Sequence, residues 1–95
     1  MSEARRNELF ARIQVHEARI ADATAARSAI PEGPDGCPER CRQASDLELH
    51  SGHICHLAEV SRDADACARC RAGRRTYSAA RASDVRANCG CEAGR

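Results

Sequence analysis

The sequence predicts a mainly α protein: a long N-terminal amphipathic helix followed by a small helical module, rich in Cys and His, that is stapled by metal. Three observations carry this. Apolar and small residues before residue 30 step by four and three, a Pro- and Gly-dense break covers 30–36, and four close pairs of Cys or His follow residue 36. The implied organisation is a helix over residues 1–30, a linker over 31–36 and the Cys/His-rich module over 37–95.

The first helix is read from Leu9, Ile13, His16, Ile20, Ala23 and Arg27, whose spacing places them on one stripe of a helical surface. Ser2 supplies an N-cap oxygen, Glu3 an acid for the first turn, and the abundant Ala favours helix throughout. The run Ile30-Pro31-Glu32-Gly33-Pro34-Asp35-Gly36 stops it, because Pro removes a backbone donor and clashes with the preceding turn. A narrow apolar stripe needs a partner helix, either in this chain or in a second copy, so a homodimer through the N-terminal helix is an option. His16 is expected as a packed or seam-edge residue.

From Pro38 to about Arg71 the chain is helix-compatible, with Ala44, Leu47, Ile54, Leu57, Ser61, Ala64 and Ala68 keeping a seven-residue register. Ser51-Gly52 is expected to interrupt it, Arg62-Asp63-Ala64-Asp65 to form a turn or exposed helix, and Ala72-Gly73 to end it. A short, weak helix over Thr76 to Ala87 closes the chain. No segment alternates like a strand.

Composition sharpens the role of the cysteines. Leu, Ile, Val and Phe number 12 of the 95 residues, whereas Ala and Cys account for 19 and 7. That is below the roughly one-fifth at which chains ordinarily assemble a core, and small domains in this position are commonly held by disulfides or a metal. No apolar run nears the roughly 18 residues of a membrane span, and Met1 to Arg12 is charged rather than signal-like. The expectation is a cytoplasmic protein with no membrane partner, a setting in which cysteines bind metal more often than they pair.

The pairs are Cys37/Cys41, His53/His56, Cys67/Cys70 and Cys89/Cys91. Two ligands separated by two to four residues reach one ion from a single turn, and zinc takes four thiolate or imidazole ligands in a tetrahedron. Zinc, as two ions, is therefore the expected cofactor, with an iron-sulfur cluster on the thiolates as the lesser alternative. Three wirings are open. The preferred sequential order joins the first two pairs and the last two; a nested order joins Cys37/Cys41 to Cys89/Cys91 and His53/His56 to Cys67/Cys70; a crossed order alternates them. His50 and Cys55 compete for the second pair, and Cys55 is the expected free thiol.

Charge is uneven although the net is +1: residues 1–36, 37–65 and 66–95 carry −1, −3 and +5. The basic residues of the last third are Arg69, Arg71, Arg74, Arg75, Arg81, Arg86 and Arg95. They read as a surface for nucleic acid or an acidic protein, or as a solvated helix face. There is no phosphate loop and no paired-carboxylate motif, and the sequence does not read as an enzyme. The function expected from these features is a structural-zinc binding module, an adaptor or regulator meeting a protein or nucleic-acid partner. A thiol-based metal or redox sensor is the alternative.

Overall fold

The computed structural model describes residues 1–91, which form three long helices and, among the described residues, no strand. Arg95, part of the expected basic surface, lies outside them. Helix α1 spans Glu3–Ser28, α2 Cys37–Ser61 and α3 Ala64–Arg86, with a single 3-10 turn over Pro34–Gly36. The molecule is elongated, 50 × 19 × 18 Å. Helices α1 and α3 both lie along α2 and barely meet each other.

Each helix boundary has a local cause. The Ser2 side chain accepts from the Arg5 backbone N–H at 3.1 Å and starts α1. Between α1 and α2, Gly36 is buried where a Cβ would sit 2.6 Å from the Pro31 carbonyl oxygen, so the turn admits no larger residue. Arg62 takes the left-handed conformation that ends α2, and Asp63 caps α3 by accepting from the Ala66 N–H at 3.0 Å. After α3, Asn88 adopts φ 59°, with Cys89 N–H donating to the Asp84 carbonyl and Asn88 N–H to Val85. This is a Schellman closure with Asn in place of Gly. It turns the chain back so that Cys89 and Cys91 meet the start of α2.

The expected stripe of α1 is the buried one: Leu9, Ile13 and Ala23 are buried, with Ile20 half-buried beside them. Its partners are the chain's own helices. Leu9 and Ile13 cluster with Ile54, Leu57, Ala58 and Ala66, while Ala23 packs with Leu47 and Ala80. Ile13, Leu47 and Ile54 are the largest fully buried apolar side chains, which makes this a thin core.

Two expected breaks do not occur. Helix α2 runs through Ser51-Gly52, and α3 runs through Ala72-Gly73. Gly73 is a packing residue: a Cβ there would meet Ser51 Cβ at 3.1 Å and Ile20 Cδ1 at 3.5 Å. Glycine lets α3 approach α2 and α1 at this level, and packing offsets its cost of about 1 kcal/mol in a helix. The register does break, but later, at Arg62, which leaves Ala64 and Ala68 exposed.

The helical part of the expected fold therefore holds, but the staple differs. Cys37–Cys89, Cys41–Cys91 and Cys55–Cys70 are disulfides. The first two tie the start of α2 to the chain after α3, and the third ties the two helices along their length. No disulfide reaches α1. That helix is held by packing and by ion pairs that cross to α3 or its cap: Arg6–Asp63 at 3.3 Å, Glu17–Arg69 at 2.8 Å and Arg27–Asp84 at 2.7 Å.

Candidate functional site

The expected metal centre does not form among the described residues. Cys37, Cys41, Cys70, Cys89 and Cys91 are consumed in disulfides, as is Cys55, the expected free thiol; the free cysteine is Cys67, half-buried on α3. His53 and His56 are exposed on α2, and no cluster of His, Cys, Asp or Glu suited to a metal ion occurs among the described residues. Zinc and iron-sulfur binding are thereby overturned, and with them the structural-zinc module and the metal sensor. Of the three wirings, the nested one has the right neighbours at one end, since Cys37/Cys41 does face Cys89/Cys91. The sulfurs bond to each other instead of sharing an ion. Spacing alone does not separate these outcomes, because both require sulfur atoms a few ångströms apart.

The histidines form a different group. His16 of α1 and His50 of α2 lie 3.0 Å apart at Nδ1, one ring donating to the other, and the His53 ring stacks on His16 at 4.7 Å. Partial burial and the neighbouring His53 hold both His16 and His50 below their ordinary pKa, while Asp46 opposes the shift at His50. The signal for this cluster was present in the sequence: His16 sits on the α1 stripe and His50/His53 share a face at a spacing of three.

A second buried group gathers at the end of the bundle near the paired disulfides. Asp84, 1 % exposed, accepts from both Nη atoms of Arg27, which also donates to the carbonyls of Arg40 and Ala80. Arg40 approaches the same carboxylate at 4.0 Å.

The basic surface divides once the side chains are placed. Arg69 pairs with Glu17 and Asp65 and covers the Phe10 ring at 4.9 Å, with Arg6 on the same ring at 5.2 Å. Arg81 donates to the Tyr77 hydroxyl at 3.0 Å, and that hydroxyl donates to Glu48 at 2.7 Å; burial and Glu48 hold the Tyr77 phenol above its ordinary pKa. Arg69 and Arg81 thus hold helices together. Arg71, Arg74, Arg75 and Arg86 are exposed, and none makes an ion pair with a described residue. Their positions, with Ser78, Ala82 and Val85, fall on the outward side of α3, opposite the buried Ala66, Gly73, Ala80 and Asp84. At 1.5 Å per residue this face runs for about 22 Å. Arg74 also lies over a disulfide, its Nε 3.3 Å from Cys55 Sγ.

No protein-family model, curated protein or solved structure matches this chain.

Proposed function

We propose that this chain is a disulfide-braced helical binding protein that works in an oxidising compartment, and that the outward face of α3 docks an acidic protein surface. It acts by binding and not by catalysis. The observation that carries this reading is the division among the arginines: Arg71, Arg74, Arg75 and Arg86 face outward together without carboxylate partners among the described residues, while Arg69 and Arg81 are used internally.

Three physical points support it. Guanidinium groups stay charged and engage carboxylates in a bidentate way, so a row of them suits an acidic surface. The helix that presents them is cross-linked to α2 by Cys55–Cys70, and the chain just after it by Cys37–Cys89, which lowers the ordering cost of docking. The face carries no aromatic side chain for base stacking, and it ends on Val85, 69 % exposed, an apolar anchor of the kind protein interfaces use. The compartment follows from the three disulfides, which persist where thiols are not kept reduced. The cytoplasmic expectation rested on the charged Met1 to Arg12 and the lack of a membrane-length apolar run; the three disulfides favour the oxidising setting over it.

The test is fluorescence anisotropy of the oxidised chain with a labelled poly-glutamate peptide and, separately, with duplex DNA, each at several salt concentrations. Salt-dependent binding of poly-glutamate that is lost in the double variant Arg71→Glu/Arg75→Glu is the expected result. Equal binding by that variant, or no binding by the native chain, defeats the reading. Tighter binding of DNA transfers the same face to a nucleic-acid partner.

A further inference from the structure

We propose that Arg40, at the end of the bundle where the three helices converge, is the anchor of a binding site for a small organic anion bearing a carboxylate or phosphate group. The site is separate from the outward face of α3.

Positive charge is in excess at this end of the bundle. Two guanidinium groups, those of Arg27 and Arg40, share one carboxylate, Asp84, and all three side chains are 14 % exposed or less. Arg27 is well satisfied: its two Nη atoms donate to both Asp84 oxygens and to the carbonyls of Arg40 and Ala80. Arg40 is not. Its Nε is buried and meets no acceptor among the described residues, and its ion contact there is Asp84 Oδ1 at 4.0 Å, an oxygen that already accepts from Arg27 at 2.7 Å. A buried Lys in this position would lose its proton; a guanidinium cannot, so the charge calls for an anion.

The surroundings supply room and shape for one. A cleft of about 430 Å³ opens between the three helices and is lined by both arginines, by Ser83, and by Leu47, Ala79 and Ala80. Other hydroxyls on its wall are committed, since Thr24 and Thr76 donate to carbonyls of their own helices, whereas Ser83 donates to no described residue. Arginine and hydroxyl donors beside an apolar wall fit a ligand with an oxyanion at one end and an apolar body at the other. The volume exceeds what a bare phosphate needs, which favours the larger molecule.

The experiment is an amide NMR titration of the oxidised full chain with phenyl phosphate, inorganic phosphate and phenol at constant ionic strength and pH. Saturable shifts at Arg40, Ala80 and Ser83, tighter for phenyl phosphate than for inorganic phosphate and absent for phenol, are expected. Arg40→Gln should weaken phenyl phosphate about tenfold or more, as loss of a charge-assisted hydrogen bond implies. If Arg40→Gln does not fold, Arg40→Lys, which loses the planar fork and in this buried position the fixed charge, should weaken it as well. Arg71→Glu/Arg75→Glu should leave it unchanged. Non-saturable shifts, or equal affinity in the native chain and both Arg40 variants, overturn the proposal. So does a marked gain of affinity in Glu92→Gln, which assigns the counter-ion of Arg40 to the chain next to Cys91.

Discussion

Arg27 of α1 and Asp84 of α3 stand 57 positions apart in sequence and 2.7 Å apart in space, with both guanidinium Nη atoms on the carboxylate. In a chain whose α1 carries no disulfide, this pair and its two carbonyl contacts bind the C-terminal end of α1 to both other helices. With Glu17–Arg69 and the small contact of Ala23 with Ala80, the pair supplements the little apolar packing that 12 large apolar residues can supply between α1 and α3.

Removing one partner should be far worse than removing both. Asp84→Ala leaves two buried guanidinium groups facing each other and should cost about 3–5 kcal/mol, whereas Arg27→Met/Asp84→Leu leaves the Arg40 guanidinium alone and should cost less. Urea denaturation of the oxidised protein measures both. A double variant as unstable as the single one would show that the pair's value lies in packing and not in charge balance.

The two neighbouring disulfides should be unequal to their sum. Cys37–Cys89 links positions 52 apart, and on chain-entropy grounds closing that loop is worth roughly 4 kcal/mol. Once it exists, Cys41–Cys91 closes only the small ring between the two bridges. Replacing either bridge with Ser pairs should therefore cost about 2 kcal/mol, and replacing both about 6 kcal/mol. The same connectivity requires one reactive thiol per chain in denaturant without reductant, on Cys67, and indifference of the folded protein to a chelator. Seven thiols with unfolding by chelator would restore the metal reading.

Two helical glycines separate local cost from packing. Gly52 has nothing within 4 Å of an added Cβ, so Gly52→Ala should stabilise by about 0.5–1 kcal/mol. Gly73→Leu must displace Ser51 and Ile20 and should destabilise by about 1–3 kcal/mol. Thermal melts of the oxidised variants check the opposite signs.

These glycines also show what was legible in the sequence. The α1 stripe from Leu9 to Ala23 was readable because its periodicity and its Pro/Gly stop are local properties. Gly73 misled because a glycine that ends a helix and one that lets two helices touch are the same letter, and only the partner, Ser51 on α2, tells them apart; Gly52 misled because one exposed glycine lowers helix propensity without stopping a helix held by its neighbours. The cysteine pairs gave proximity but not chemistry, and the preferred wiring paired neighbours in sequence where the α2–α3 hairpin pairs the ends of the module. The basic third was visible as charge. Which arginines are free was not, since Glu17, Glu48 and Phe10, the partners of Arg69 and of the Tyr77–Arg81 pair, come from other helices.

The histidine cluster predicts a loss of stability in mild acid. His16 and His50 are held below their ordinary value of 6.5 by partial burial first, and His53 pushes both down, with His50 adding to the shift at His16. Arg12 pushes His16 the same way and Arg19 pushes His50, while Asp46 resists at His50. A folded-state pKa below the unfolded one means that the unfolded chain binds more protons, so stability is complete above about pH 6.5 and falls as pH drops through that value toward the folded pKa. The cluster bridges α1 and α2, and α1 lacks a covalent tie, so the loss should appear as weakened docking of α1. His16→Gln should flatten the decline in urea midpoint between about pH 7.5 and pH 5, and the imidazole NMR titrations of His16 and His50 should fall below the ordinary midpoint. Ordinary midpoints for both rings, or an unchanged decline in the His16 variant, would show that the cluster does not govern the acid response.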